Sequence, residues 1–240
     1  MTLRLGQDRL RLRPWAGEAG TGLLILLIPG KAVSESTAAA AVETAIARGY
    51  QRLRTSALSH LESEPFIRAG FEPRQQLALL SRPIQARPLQ DNSPHRNGSI
   101  AIRRARRRDR PSVLAVDHAA FEPLWQLDQA GLTDALRATP FRHFRVSHQD
   151  ADTGLTGYAI SGRSGPAGYL QRLAISPDQQ GQGAGAALII DGLRWMARWG
   201  ATHAWVNTPQ HNTRALRLYG RLGFEQVPPG LQVLELRLGQ

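Results

Sequence analysis

The chain has 240 residues and a formal net charge of +11, from 30 lysine and arginine residues against 19 aspartate and glutamate residues. It contains no cysteine, which excludes disulfides, thiolate catalysis and cysteine–metal sites. The length allows one large or two small domains with a real core. The longest aliphatic run, Leu23 to Ile28, is too short to span a bilayer.

In chain order, Leu23 to Ile28 reads as a buried strand, Ser36 to Arg48 as an alanine-rich helix and Arg52 to Leu58 as a strand. Phe66-Ile67-Arg68-Ala69-Gly70-Phe71-Glu72 leads into an alternating run from Gln75 to Ser81. Pro83 to Gly98, rich in Pro, Arg, Asn and Ser, reads as a linker. Ile100 to Arg104 is a strand, Val113 to Phe121 a helix opened by Pro111-Ser112, and Pro123 to Leu136 a second helical stretch. Phe141 to Ser147 and Gly154 to Gly162 alternate as strands across a turn at Asp150 to Thr153. Tyr169 to Ile175 is a central strand, Gly183 to Arg198 a helix, Ala204 to Asn207 a strand, Thr213 to Leu222 a helix and Gln232 to Leu238 a last strand. This alternation predicts an α/β fold with a mixed sheet and helices on both faces.

Lys31 is the only lysine, so the charge is almost all arginine, densest at Arg103-Arg104-Ala105-Arg106-Arg107-Arg108-Asp109-Arg110. Such a run can recruit phosphates non-specifically. A solvated strand end and turn is the simpler account, and nucleic acid is not the expected partner.

The segment Gln180-Gly181-Gln182-Gly183-Ala184-Gly185-Ala186 lies between a strand and an amphipathic helix. Glycines let a backbone approach an anion closely, and a helix N-terminus adds unpaired N–H groups and a positive dipole end. The loop therefore suits the phosphates of a cofactor. A Walker loop would need Gly-Lys-Ser/Thr at its end, where this chain has Gly185-Ala186-Ala187. A dinucleotide site would need a third glycine and an acid after the next strand, where Ala186 and Asn207 stand instead.

A second motif, Asn212-Thr213-Arg214-Ala215-Leu216-Arg217-Leu218-Tyr219 followed by Leu222-Gly223-Phe224-Glu225, narrows the choice. With Leu173-Ala174-Ile175, Pro177, Gln180, Gly183 and Gly185, it resembles the GNAT superfamily of acyl-CoA-dependent N-acyltransferases. The pieces fall in family order and spacing from about residue 99 to the C-terminus. The resemblance implies a complete GNAT domain over 99–240 that binds acetyl-CoA as co-substrate and uses no metal. It assigns the pyrophosphate to Gln180, Gly181, Gln182, Gly183, Ala184, Gly185 and Ala186. It assigns the pantetheine arm to the backbone of Leu173 and Ile175 and to Asn212, with the amide of Ile175 donating to the thioester oxygen. Tyr219 matches the family tyrosine near the cofactor sulfur, and a phenol with pKa about 10 is a suitable general acid for a thiolate. Asn212 also fits a plain helix N-cap, and Arg214 and Arg217 fit either phosphate contacts or an exposed helix face.

The N-terminal segment echoes this domain. Phe66 to Glu72 repeats the glycine, phenylalanine and glutamate of Tyr219 to Glu225, and Ala47-Arg48-Gly49 echoes Ala197-Arg198-Trp199-Gly200. Residues 1–85 read as a degenerate, partial GNAT-like unit, joined by the linker 86–98 to the domain at 99–240. Phe66 takes the place of Tyr219, and Pro29-Gly30-Lys31 precedes the helix without a phosphate loop. The expected role of this unit is structural, with one cofactor site per chain.

No base emerges. Many relatives carry a glutamate four residues before Leu173, where this chain has Tyr169, and Gln171 cannot accept a proton at neutral pH. Asp117, His118, Glu122, His143, His148, His203 and His211 remain as candidates, and a water chain to solvent is an alternative. The expected activity is N-acetyl transfer to a primary amine of a small molecule or protein. The competing expectation is a non-catalytic acyl-CoA sensor. A cytoplasmic location is expected, and a homodimer is left open.

Overall fold

The structure is a computed structural model and describes residues 2–5, 8–15, 18–28, 30–84, 100–148 and 154–239. Its first half contains β1 (Thr2–Leu5), β2 (Asp8–Pro14), β3 (Thr21–Leu26), α1 (Glu35–Ala47), β4 (Arg52–Thr55), α2 (His60–Arg68) and β5 (Glu72–Pro83). Then follow β6 (Ala101–Arg104), α3 (Arg110–Ala120), α4 (Gln129–Arg137), β7 (Phe141–His148), β8 (Gly157–Ser164) and β9 (Ala167–Ile175). The last elements are α5 (Ala184–Arg198), β10 (His203–Pro209), α6 (Thr213–Arg221), β11 (Glu225–Gln226) and β12 (Leu231–Arg237).

Packing divides the chain into two compact units. The first comprises Met1–Leu80, Asn207–Arg217 and Gln226–Gln240, and the second comprises Ser81–Val206 and Leu218–Glu225. The sequence boundaries at 1–85 and 99–240 follow chain order, whereas this division does not. The reason is β12, which lies antiparallel to both β4 (Glu235↔Arg54) and β5 (Leu231↔Leu77) and so belongs to the first unit's sheet. The linker assigned to 86–98 and the turn at Asp150 to Thr153 lie outside the described residues.

In the first unit the strands run in the order β1-β2-β3-β4-β12-β5. The parallel pair β3/β4 is joined through α1. Strand β2 alternates leucine and arginine, and Leu10 and Leu12 are both buried in a core with Leu24, Leu53, Phe66, Phe71 and Leu234. Helix α1 is capped by Ser34, whose side chain accepts from the backbone N–H of Thr37, and Glu35 adds an acid to its first turn. Helix α2, which contains Pro65, is not among the elements read from the sequence. It forms behind a capping box in which the Ser59 side chain accepts from Glu62 N and Glu62 Oε2 accepts from Ser59 N at 2.7 Å.

In the second unit the order is β10-β9-β8-β7-β6. Helices α3 and α4 cover one face, where Val113, Val116, Leu132 and Leu136 pack on Val146, Tyr158, Ile160 and Ala174. Helix α5 lies on the other face, since its Gly192 stands against Ser161, a neighbour of Ile160 on the same strand. A Cβ at Gly192 would come within 2.6 Å of Ser161 Oγ. The expected helical stretch from Pro123 to Leu136 is broken. A single 3-10 turn, Pro123–Trp125, is followed by extended residues, and α4 starts only after Asp128 caps it by accepting from Gly131 N at 2.6 Å. No helix among the described residues is long and apolar enough to cross a membrane.

Candidate cofactor and acyl-transfer site

The site is built from the end of β9 upward. Strands β9 and β10 pair in parallel only at Ala167↔His203, Gly168↔Ala204 and Tyr169↔Trp205. Beyond Tyr169, β9 continues to Ile175 with a ladder on β8 alone. Among the described residues, one edge of Leu170–Ile175 therefore presents backbone donors and acceptors without a strand partner, which suits an extended ligand that pairs with main chain. Leu173 and Ile175, the two residues assigned to the cofactor arm, both lie on this stretch.

The chain then turns through Pro177–Gln179 into the glycine loop. Gln180 Nε2 donates to Ile175 O at 3.0 Å and Gln182 Nε2 to Asp178 O at 3.3 Å, so both glutamines brace the loop. Gly181 and Gly183 have φ of 85° and 99°, in the left-handed region that glycine adopts without strain. Gly183 is the N-cap of α5 and brings no side chain to the helix end, and the first helical bond runs from Ala187 N to Gly183 O at 3.0 Å. Gly183 contributes no side-chain cap to the first turn formed by Ala184, Gly185 and Ala186, where the positive end of the helix dipole lies. Gly185 lies close to its neighbours: a Cβ there would stand 3.3 Å from Leu218 Cδ2, a tight contact, and 3.6 Å from Ile175 Cγ1. The loop, strand end and Leu218 are thus packed together within one unit.

Tyr219 is buried, with its ring edge-on to Phe224 at 5.7 Å between centroids. Its hydroxyl has no hydrogen bond among the described residues, and burial pushes the phenol up to about 12. The sequence-based expectation of a phenol near 10 is corrected accordingly: this hydroxyl holds its proton more firmly. Asn212 lies in the other unit, where its Oδ1 accepts from Ala215 N at 3.1 Å. That is the N-cap arrangement of α6.

The candidate bases separate clearly. Asp117 is fully buried, and both its oxygens are committed. Oδ1 accepts from Leu127 N at 2.7 Å and from Arg172 Nη2 at 2.9 Å, while Oδ2 accepts from Arg172 Nε at 2.9 Å and from the Tyr158 hydroxyl. Burial pushes the Tyr158 phenol up, so it remains the donor. His143 is bonded to Asp191 at 2.7 Å and stacked on Trp195, with Arg145 forked onto the same carboxylate. His118 Nε2 is 2.8 Å from Leu127 O, and Glu122, His203 and His211 are exposed. None of them is singled out as a base. No group of three or more His, Asp or Glu side chains placed to hold a metal occurs among the described residues.

Sequence reasoning missed one cluster. Arg172, on β9 between Gln171 and Leu173, bonds Asp117 twice and donates to Trp125 O at 2.6 Å. Its partners lie 47 and 55 positions away along the chain, so no local spacing announces them.

The model of the acetyltransferase (GNAT) family matches residues 103–224. Among curated proteins, a mycothiol acetyltransferase of Saccharopolyspora erythraea is 27% identical over 173 residues, covering 69% of this chain and 55% of that protein. One from Rhodococcus opacus is 29% identical over 173 residues, covering 66% of this chain and 56% of that protein. The chain spans about half the length of these curated relatives. An uncharacterised N-acetyltransferase of Mycobacterium bovis is 32% identical over 116 residues, 48% of this chain and 72% of that one. Among solved structures, a tandem GNAT protein from the clavulanic acid biosynthesis pathway superposes with a TM-score of 0.69 at 16% identity. It covers 99% of this chain and 82% of its own. A putative acetyltransferase from Novosphingobium aromaticivorans gives a TM-score of 0.62 at 18% identity over 100% of this chain and 92% of its own. These two likenesses concern the fold.

Proposed function

The chain belongs to the acetyltransferase (GNAT) family, and from that premise we propose that it transfers an acetyl group from acetyl-CoA to a primary amine of a small molecule or protein. The observation that carries this reading is the uncapped N-terminus of α5 behind two positive-φ glycines, beside a strand stretch with one open edge. These features fit the cofactor. A pyrophosphate would be held by backbone N–H groups from Gln180 to Ala186, and a pantetheine arm by the main chain of Leu173 and Ile175. When bound, acetyl-CoA supplies an acyl group activated as a thioester.

The chain's own groups then have defined tasks. The Ile175 N–H polarises the carbonyl oxygen that gains charge as the amine attacks. The Tyr219 hydroxyl, neutral through the physiological range, donates its proton to a departing thiolate. Asp117 is not available to the incoming amine, because both its oxygens are bonded within the fold. The incoming amine arrives unprotonated or loses its proton to water. Asn212 is assigned to capping α6.

The test is release of CoA from acetyl-CoA in the presence of an amine panel that includes the acceptor of the mycothiol acetyltransferases. Release above background with at least one amine, with the acetylated product identified by mass, is expected. Background release throughout, with acetyl-CoA still bound, would leave a binding protein without transfer chemistry.

A further inference from the structure

The cofactor-facing end of β9 has an unusual mechanical problem. The register with β8 shifts between Ile160↔Arg172 and Ser161↔Leu170, so Gln171 is an extra residue in a bulge. Past Tyr169 the opposite edge has no strand partner among the described residues. Residues 172–175 are therefore held by one ladder only, and that ladder starts at a bulge. A segment with few constraints opens locally more readily than a central strand.

We propose that Arg172 is the positioning residue that holds this segment in register, acting as a side-chain clamp where a second ladder is missing. The inference rests on the acetyltransferase reading only in giving residues 173–175 their catalytic task. Arg172 stands immediately after the bulge, with its side chain 15% exposed, and reaches the fully buried Asp117 of α3 through two parallel hydrogen bonds of 2.9 Å. It donates a further bond to Trp125 O at 2.6 Å, and its guanidinium lies 3.6 Å over the Phe121 ring. Asp117 is itself fixed by Leu127 N and the Tyr158 hydroxyl, so the anchor is rigid. A planar fork gripping a carboxylate at two points fixes orientation as well as distance. The clamp thereby sets the direction of the Ile175 N–H three residues on, and pins the α3–α4 connection to the same strand.

Arg172→Met and Arg172→Lys are compared with the wild type in the full chain. Backbone hydrogen exchange across Leu170–Ile175, measured without substrate, should quicken about tenfold in Arg172→Met while exchange across Ala184–Arg198 is unchanged. With acetyl-CoA and the best amine of the panel, kcat should fall by about 10²-fold, the usual cost of a misplacement near 1 Å. The KM for acetyl-CoA should shift far less. Arg172→Lys keeps a cation over Phe121 and one bond to Asp117, and should recover part of both effects; it also serves if Arg172→Met fails to fold. Unchanged exchange over Leu170–Ile175, or a uniform rise across the whole sheet, overturns the proposal. A wild type that transfers no acetyl group sinks the functional reading alone, because the exchange result judges the clamp separately.

Discussion

The chain contains two versions of one β–α–β–α unit, and they differ where chemistry would occur. In the first, β3, α1, β4 and α2 follow one another with β3 and β4 parallel; in the second, β9, α5, β10 and α6 do so with β9 and β10 parallel. Both second helices end alike. Gly70 at φ 91° donates to Ile67 O and Phe71 N to Phe66 O, just as Gly223 at φ 77° donates to Gly220 O and Phe224 N to Tyr219 O. Each end stacks two rings edge to face, Phe66 on Phe71 and Tyr219 on Phe224. The helix starts diverge. Helix α1 satisfies its own first turn with Ser34 and places Glu35 there, so an anion meets an occupied donor and a like charge. Helix α5 has a glycine N-cap and no side-chain cap. The helix-end features are common to both copies, whereas the glycine start without a side-chain cap and the phenol occur in one.

The largest expected effect comes from blocking that glycine start. Gly183→Val forces a β-branched residue to φ near 99° and puts a side chain where the proposed function places the phosphate. Acetyl-CoA affinity should drop by roughly 100-fold or more. Gly30→Val in the first copy should leave affinity untouched. Calorimetric titration of each variant decides, and equal effects at the two glycines would erase the contrast between copies.

The phenol gives the next largest effect. Tyr219→Phe should lower turnover by about 10²- to 10⁴-fold, the span of general acid catalysis, with acetyl-CoA affinity within a factor of about two. The reciprocal Phe66→Tyr buries a hydroxyl at a position 1% exposed and should destabilise by about 1–3 kcal/mol in urea melts without adding activity. Equal losses of kcat and affinity in Tyr219→Phe would mark a structural tyrosine.

The pH dependence sharpens the same residue. The Tyr219 phenol is raised by burial from 10.0 to about 12. A group whose pKa is raised on folding stabilises fully below its unfolded value and loses that contribution as pH rises toward 12. The alkaline limb of kcat should therefore lie well above pH 10 and vanish in Tyr219→Phe. A limb near 10 would place the phenol in water.

The smallest effect is at the other helix start. Ser34→Ala removes the α1 cap and should cost about 1 kcal/mol of stability, read from the urea midpoint, with full activity retained. Loss of acetyl-CoA binding in this variant would contradict a silent first copy.

The legible parts of this molecule were local ones. The glycine loop, the Asn212-to-Phe224 pattern and the Gly-Phe-Glu echo each state in a few adjacent residues what the backbone must do there. Strand β2 was also legible in principle, since its leucines alternate with arginines, but high charge masked the period. Helix α2 was hidden by Pro65, whose missing N–H argues against a helix until the Ser59–Glu62 box is recognised. Two features are not written locally at all. Strand β12 pairs with β4 across 181 positions, as in the Arg54–Glu235 ion pair, and nothing in either strand names the other. The Arg172–Asp117 clamp likewise exists only once β9 and α3 have packed.

One cofactor per chain, on α5 and not on α1, is the central claim. Calorimetric titration of the wild type with acetyl-CoA should give a stoichiometry of one per chain, falling to no measurable binding at the same concentrations in Gly183→Val. A stoichiometry of two, or binding unaltered by Gly183→Val, would contradict it.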